Sequence, residues 1–212
     1  MNTVLYVSSN RENPSFEEKI RKDLLSKWGG PIVAVTQKPT QFGRGKNIVV
    51  GDVGASGFNV CRQYLIACQN AATDCVVTAE ADCVYSPDYF TFNPERLDIP
   101  YRNTNIYVQK YGEDYVCKKD HSLFSQVIGR EYFIKRLESL FEGQPMWSTD
   151  YKNFPKEIHK KLFNEFELFQ TRFGCVSFKT GKGMRKHSPS DEVPVYELPY
   201  WGEIKDLRAK YE

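Results

Sequence analysis

Two carboxylates with one residue between them are the sharpest chemical signal in this sequence. Residues 75–78 (CVVT) are typical of a buried strand, and Glu80 and Asp82 follow directly. Residues i and i+2 of a strand share a face, so both side chains can point into one crevice. Carboxylates at the carboxyl end of a strand in an open α/β sheet can hold a hard divalent cation, which usually also takes phosphate oxygens and waters as ligands. The alternative is a solvated strand end.

The elements before this pair alternate between strand and helix. Short β-rich runs predict strands at residues 3–7, 31–36, 48–50 and 75–78. Apolar residues at helical spacing predict one helix from Phe16 to Trp28 and a second helix that begins after Ser56. Because the strand at 75–78 is apolar on both faces, it belongs in a parallel sheet covered by helices. The pattern predicts an α/β fold with a central mixed, mostly parallel sheet flanked by helices.

The second half of the chain is less regular. Six further elements are predicted there: strands at 105–108, 115–118, 123–128 and 175–178, and helices at 131–141 and 155–169. The tail from residue 180 onward is rich in Gly, Lys and Pro, with aromatic residues near its end. No internal repeat and no clear linker interrupts the chain, so we predict a single domain over residues 1–212.

Length and composition exclude several classes of protein. The chain has 212 residues, a net charge of +2, 41% hydrophobic residues and 26% charged residues, which is ordinary globular composition. Disorder, a fibrous repeat and a disulfide-dense miniprotein are excluded. No apolar stretch approaches the ~18 residues that span a bilayer, and no basic segment precedes an apolar run at the N-terminus. The six cysteines show no C-x-x-C spacing, so we expect buried, reduced thiols in a cytoplasm.

The region around the carboxylate pair resembles the GT-A nucleotide-sugar glycosyltransferases, especially their large family-two group. That family has a helix with Ala-Arg-Asn near its start, an apolar strand, Asp-x-Asp and a Pro-Asp-Tyr-Phe-like ending. The matching segments here are residues 56–64 (SGFNVCRQY), 80–82 (EAD) and 86–90 (SPDYF). The resemblance covers residues 3–90 well and the rest loosely. Two positions depart from the family pattern: Gln63 replaces the usual Asn, and Glu80 replaces the first Asp. Because Glu80 is a longer carboxylate than the Asp it replaces, Asp82 is the safer metal ligand.

The resemblance implies a Rossmann-like GT-A fold. Residues 1–90 would bind a nucleoside diphosphate sugar, with a UDP-sugar favoured, and residues 91–212 would bind the acceptor. Mn²⁺ or Mg²⁺ would neutralise the leaving diphosphate as a Lewis acid, held by Asp82 and His187. Arg62 would contact a phosphate or hold Glu80, unless it makes a surface ion pair. The full set of expected nucleotide-sugar contacts is Ser8, Ser9, Asn10, Asp52, Arg62, Glu80, Arg185 and Lys186.

A general base is also needed if the transfer inverts the sugar, because the acceptor hydroxyl must lose its proton. The family places an Asp or Glu shortly before the Gly that precedes its late strand. Glu165 is the best match here, with Glu167 and Asp150 as rivals. Asp150 follows residues 146–149 (MWST), an aromatic loop that could cover the sugar.

Two other functions stay open beside a hexosyl- or pentosyltransferase. A nucleotidyltransferase also uses a nucleotide crevice and a divalent metal, but the loop at 8–14 has no glycine and the Gly-rich loop at 43–46 comes late. A non-catalytic nucleotide-sugar-binding module would not need the carboxylate pair. Transferases of the family that this chain resembles include bacteriophage enzymes that glycosylate hydroxymethylated DNA bases, so the resemblance implies such a base as the best prediction of the acceptor, in the host cytoplasm. The aromatic and basic C-terminal third is compatible with binding a flipped base. A saccharide acceptor is nearly as well supported, and we expect no stable membrane association.

Overall fold

A computed structural model of the chain describes residues 1–110, 112–150, 164–179 and 191–211. The strands are β1 (Asn2–Ser8), β2 (Ile32–Thr36), β3 (Lys46–Val49), β4 (Cys75–Glu80), β5 (Cys83–Val84), β6 (Tyr101–Asn103), β7 (Ile106–Gln109), β8 (Val116–Lys119), β9 (Gln126–Gly129), β10 (Glu167–Phe169), β11 (Cys175–Phe178), β12 (Pro194–Val195), β13 (Glu197–Leu198) and β14 (Gly202–Glu203). The α-helices are α1 (Pro14–Lys27), α2 (Gly57–Gln69), α3 (Arg130–Phe141) and α4 (Ile204–Tyr211).

Seven strands form the larger of two main sheets, which we call the large sheet. Their order is β10-β6-β9-β4-β1-β2-β3. The four strands β3, β2, β1 and β4 are parallel neighbours, and β9 runs antiparallel between β4 and β6. The prediction of an α/β fold with a mixed, mostly parallel sheet flanked by helices is confirmed.

Helices cover both faces of the large sheet because its central strands are apolar on both sides. On one face, Val4 and Tyr6 of β1 lie in a buried cluster with Leu24 of α1. On the other face, Leu5 packs in a second cluster with Phe58 of α2 and with residues of α3. Successive residues of a strand point to opposite faces, so a run without polar interruptions requires this double cover.

Five strands form a second sheet that the sequence did not predict, which we call the small sheet. Their order is β12-β8-β7-β11-β5. The strands predicted at 105–108 and 115–118 are confirmed as β7 and β8, which pair antiparallel. Strand β11 lies between β7, to which it is parallel, and β5, to which it is antiparallel. Phe16 and Ile20 of α1 pack against this sheet together with residues of α4. Helix α1 therefore contacts both sheets.

One predicted helix is wrong where the structure describes it. Residues 155–163 lie outside the described residues, but Glu167–Phe169 is strand β10, paired in parallel with β6. The i, i+3 spacing of Phe166 and Phe169 favoured a helix, whereas the ring of Phe169 stacks on Phe92, 4.0 Å between centroids, at the edge of the sheet. Helix α4 was not predicted, although Ile204, Leu207 and Tyr211 are its buried residues.

The helices and cysteines agree with the other expectations from composition. Within the described ranges no helix is both long and apolar enough to cross a bilayer. All six cysteines are buried and none forms a disulfide. The prediction of a single domain stays a prediction.

Candidate functional site

The carboxylate pair lies where the chain passes from the large sheet to the small sheet. Glu80 is the last residue of β4, in register with Val7 of β1, and Cys83 is the first residue of β5. Asp82 stands in the two-residue connection between them. Both carboxylates thus lie at the carboxyl edge of parallel strands, the edge at which open α/β sheets bind ligands.

Glu80 is held by two tyrosines. Its backbone N–H donates to the hydroxyl oxygen of Tyr85 over 3.0 Å, and that hydroxyl donates to the carbonyl of Phe124 over 2.9 Å. The hydroxyl of Tyr64 donates to Oε1 over 3.4 Å. Burial, with the nearby charge of Asp82 adding to it, raises the pKa of Glu80 to about 7. Burial therefore disfavours the charged form of Glu80, and a cation bound nearby would stabilise that form.

Asp82 is tied to β11 of the small sheet. Its carbonyl accepts a hydrogen bond from the backbone N–H of Phe178 over 2.8 Å. Its Oδ2 lies 3.5 Å from Nζ of Lys179, the residue that follows β11. Its Oδ1 accepts from the Cys83 thiol over 3.2 Å. The pairing of β11 with β5 thus brings a lysine to the carboxylates, and sequence reasoning missed it.

Lys179 supplies a positive charge inside the site. Its side chain is 19% exposed and that of Asp82 is 13% exposed. Burial lowers the pKa of Lys179, but the Asp82 charge, with smaller contributions from its neighbours, more than compensates, and the net pKa is raised. The ammonium group is therefore charged at neutral pH.

A divalent cation fits the two carboxylates. One donor atom from each of Glu80, Asp82 and Cys83 lies within 4.8 Å of the other two. Carboxylate oxygens are the ligands that Mg²⁺ and Mn²⁺ prefer. Burial and the two carboxylates raise the pKa of the Cys83 thiol well above its usual range, so Cys83 stays protonated and donates to Asp82. The pair that would hold the ion is therefore Glu80 and Asp82.

The end of β1 reaches the same edge of the large sheet. Ser8 is its last residue, and Ser8 Oγ accepts from the backbone N–H of Asn10 over 2.8 Å. Asn10 has a φ of 50°, and its Oδ1 accepts from the backbone N–H of Lys38 over 2.8 Å. Gln63 of α2 donates to the carbonyls of Ser8 and Val35, so this helix fixes the ends of β1 and β2. Ser8, Ser9 and Asn10 are thus held beside the strand that carries Glu80.

A cavity of about 600 Å³ opens beside Asn10, between α1 and residues 38–43. The buried Glu17 carboxylate lies in its lining and accepts hydrogen bonds from Tyr6 and Asn10. Its volume is that of a typical small-molecule site. Asp52, by contrast, is exposed in the loop after β3, two strands beyond β1.

The hydrogen bonds of Arg62 go to backbone carbonyl groups and not to the carboxylate pair. Its Nε donates to the carbonyl of Met146 over 2.9 Å and its Nη2 to the carbonyl of Pro145 over 2.8 Å. Its guanidinium lies 3.7 Å from the ring centroid of Phe141. These contacts fix the segment after α3 onto α2 and do not involve Glu80, and the expected contact of Arg62 with a phosphate stays a prediction.

The three base candidates lie in different places. Glu165 is 79% exposed and faces Arg136 of α3 at 3.6 Å. Glu167 lies in β10, three strands from β4 and level with Val77, which is three residues before Glu80. Three strand spacings amount to about 14 Å. The structure does not bring Glu165 or Glu167 to the carboxylate pair.

Asp150, the third candidate, follows a loop fixed over the carboxyl edge of the large sheet. Ser56 Oγ donates to the carbonyl of Ser148, and the backbone N–H of Ser148 donates to Oδ1 of Asn59. Ser56 caps the N-terminus of α2, where the chain arrives from β3. Asp150 is exposed beside this loop.

His187, Arg185 and Lys186, expected to bind metal and diphosphate, lie outside the described residues.

Comparison with known proteins gives the fold but no family. No family model and no curated protein matches the sequence. The inositol-1-phosphate CTP transferase from T. maritima is 9% identical, with 100% of this chain and 96% of that chain covered and a TM-score of 0.55. Its likeness over nearly the whole of both chains agrees with the Rossmann-like fold class predicted from sequence.

Two glycosyltransferases overlap less completely. GlyE from Streptococcus pneumoniae TIGR4 is 12% identical, with 79% of this chain and 45% of that chain covered and a TM-score of 0.49. A glycosyltransferase involved in glycosylation of the major capsid of PBCV-1 is 9% identical, with 79% and 81% covered and a TM-score of 0.46. The chain spans less than half the length of GlyE. These overlaps do not distinguish a glycosyltransferase from a nucleotidyltransferase.

Proposed function

We propose that the protein is a metal-dependent glycosyltransferase that moves a sugar from a nucleoside diphosphate sugar to a hydroxyl acceptor. The observation that carries the proposal is the Glu80 and Asp82 pair at the carboxyl edge of β4. Departure of the sugar leaves negative charge on the diphosphate, and Mn²⁺ or Mg²⁺ bound by the pair would supply Lewis-acid stabilisation of that charge. The ammonium of Lys179 adds a second positive charge within the same site.

The nucleoside would bind beside the end of β1. Ser8, Ser9 and Asn10 lie at the edge that carries Glu80, and the cavity beside Asn10 has room for a base. A UDP-sugar is the favoured donor, as the resemblance implies. Asp52 is proposed to meet the ribose from the loop after β3.

Asp150 is the best placed of the three proposed general bases. It stands beside a loop that is fixed at the carboxyl edge of the large sheet, whereas Glu165 faces α3 and Glu167 lies three strands from β4. A carboxylate at this edge can take the proton of an acceptor hydroxyl that approaches the sugar from outside, as an inverting transfer requires. His187, Arg185 and Lys186 remain part of the proposal as further metal and diphosphate contacts.

The acceptor is proposed to be a hydroxymethylated base in DNA, with a saccharide as the close alternative. Tyr200 is 49% exposed and adopts a φ of 76°, which is unusual for a bulky residue and often marks a functional position. Its ring stacks on Phe173, 5.1 Å between centroids, just before β11. The six residues from Gly174 to Lys179 span about 17 Å at strand rise, so this aromatic pair suits a polymeric acceptor that extends beyond the reacting group.

Nucleotidyl transfer is the second candidate function. The likeness to the T. maritima CTP transferase over nearly the full length of both chains favours it. Such an enzyme would use a nucleoside triphosphate and release pyrophosphate. Pyrophosphate release from CTP or UTP, set against UDP release from UDP-sugars, separates the two reactions.

Calorimetry tests the metal-dependent donor site. UDP is titrated into the protein with and without Mn²⁺, for the unchanged protein, for Asp82→Asn and for the control Asp206→Asn. Asp206 is an exposed residue of α4, so its loss changes the net charge equally without touching the site. We expect Mn²⁺-dependent binding that survives in Asp206→Asn and is lost in Asp82→Asn. Equal, metal-independent binding by all three proteins contradicts the proposal.

A further inference from the structure

The carboxylate pair already has a positive partner within the protein. Nζ of Lys179 lies 3.5 Å from Oδ2 of Asp82, and both side chains are largely removed from solvent. The same ammonium donates to Oγ of Ser177 over 3.4 Å. Two strands fix this arrangement, because Ser177 is paired with Cys83 and the N–H of Phe178 donates to the carbonyl of Asp82.

A divalent ion and this ammonium group compete for the same carboxylate. Asp82 belongs to the group that fits a metal, and a cation bound to its oxygens would lie close to the Lys179 ammonium and repel it. Two positive charges within a few ångströms repel each other strongly in a partly buried site. A side chain with four methylene groups can carry its charge away from one partner to another within the cleft.

We propose that Lys179 is the resident counter-ion of Asp82, that a divalent ion displaces its ammonium group, and that the displaced ammonium then binds a phosphate of the donor. This inference rests on the proposed function for the identity of the anion. Before the metal binds, the Lys179 ammonium compensates the negative charge of the carboxylates. After the exchange, the same ammonium contacts the diphosphate. Lys179 thereby opposes metal binding and favours diphosphate binding.

The exchange predicts opposite changes in two affinities. An opposite charge within about 4–6 Å shifts the proton affinity of a carboxylate by about 10–1,000-fold, and the same competition applies to a metal ion. Lys179→Met should therefore bind Mn²⁺ at least about tenfold more tightly, measured by the electron paramagnetic resonance signal of free Mn²⁺. At saturating Mn²⁺, inorganic diphosphate should bind at least about tenfold more weakly, because a charge-assisted hydrogen bond is lost.

Two matched variants separate this effect from general electrostatics. Lys118→Met removes the same charge from β8, where Lys118 lies over the ring of Tyr107 and contacts Asn105 instead of the carboxylates. Lys179→Arg keeps the charge at the site. Both should bind Mn²⁺ within about threefold of the unchanged protein. A Lys179→Met variant whose Mn²⁺ affinity is unchanged or weaker overturns the proposal.

A measurement on the unchanged protein covers the case in which Lys179→Met does not fold. Acylation of lysines, read by mass spectrometry, should be slow at Lys179 without metal and faster at saturating Mn²⁺, with Lys118 as the internal control. Unchanged labelling of Lys179 at saturating Mn²⁺ overturns the exchange. If the unchanged protein binds donor equally well with and without metal while Lys179→Met binds Mn²⁺ more tightly than the unchanged protein does, the exchange stands and the metal dependence of the proposed function fails. If neither the unchanged protein nor Lys179→Met binds Mn²⁺, both the exchange and the metal dependence of the proposed function fail.

Discussion

The large sheet and the small sheet contribute differently to the site. The large sheet is built around four parallel strands from the first 80 residues, and it places Glu80 at an edge formed by neighbouring segments of the chain. The small sheet gathers short strands from residues 83 to 195, and it brings Lys179 against Asp82. The carboxylates therefore come from local sequence, whereas their counter-ion comes from a strand about a hundred residues later.

The largest effect is expected at the edge of the large sheet, where the acceptor is proposed to bind. Asp150→Asn should lower turnover by about 10²–10⁴-fold, as loss of a general base does, with donor affinity unchanged. Glu165→Gln and Glu167→Gln should stay within about twofold, because neither side chain lies near the carboxylate pair. Rates with a UDP-sugar and a hydroxymethylated DNA acceptor measure this. Collapse in Glu165→Gln with normal turnover in Asp150→Asn would return the role to Glu165.

Alanine substitution at two glycines tests how rigid the two sheets are at tightly packed positions. A Cβ added at Gly129, in β9 of the large sheet, would lie 1.9 Å from the carbonyl oxygen of Leu97, which belongs to the backbone. At Gly174, just before β11, it would lie 2.7 Å from the ring of Tyr107, which can shift. Gly129→Ala should lower the free energy of unfolding by about 3 kcal/mol and Gly174→Ala by about 1 kcal/mol, measured by urea denaturation. Equal losses would mean that the two sheets are equally rigid at these points.

Substitutions of the two tyrosines that contact Glu80 should lower the free energy of unfolding by smaller and unequal amounts. Tyr85 joins the N–H of Glu80 to the carbonyl of Phe124 from a buried position, so Tyr85→Phe leaves a buried donor without its acceptor. This should lower the free energy of unfolding by about 2 kcal/mol. Tyr64→Phe removes only a 3.4 Å contact to Oε1 of Glu80 and should cost less than about 1 kcal/mol. Chemical denaturation of both variants measures the difference, and a larger loss in Tyr64→Phe contradicts the assignment.

A similarly small effect tests what Arg62 does on α2. Arg62→Lys keeps the charge but loses the paired donation to the carbonyls of Pro145 and Met146. It should lower the free energy of unfolding by about 1 kcal/mol and leave UDP affinity within about twofold. A normal melting curve together with a large loss of UDP affinity would instead support the phosphate contact expected from sequence.

The sequence predicted the large sheet well because its signals are local. The apolar strands, the Ser56 cap and the Glu80 and Asp82 spacing can each be recognised within about ten residues, and the structure confirms all three. The small sheet has strands of two to four residues, too short to show a period. Lys179 carried no signal, because its importance depends on the pairing of β11 with β5.

The wrong helix and the unpredicted partners of Arg62 have the same physical origin. Phe166 and Phe169 have helical spacing, but Phe169 belongs to an edge strand whose partner lies more than sixty residues earlier in the chain. The partners of Arg62 were also not predicted, because the carbonyl groups after α3 that take two of its donors are distant in sequence; its contact with a phosphate stays a prediction. Such partners follow from tertiary structure, which local propensity does not contain.

The pairing of β5 with β11 also bears on how the chain acquires its charge balance during synthesis. Until residues 175–179 have left the ribosome, Glu80 and Asp82 cannot meet Lys179. Closing this contact joins segments that are far apart in sequence, which is slower than forming neighbouring strands. A nascent chain that ends after β9 thus holds two carboxylates without their ammonium group, and under the proposed exchange a divalent ion would meet no competing lysine there.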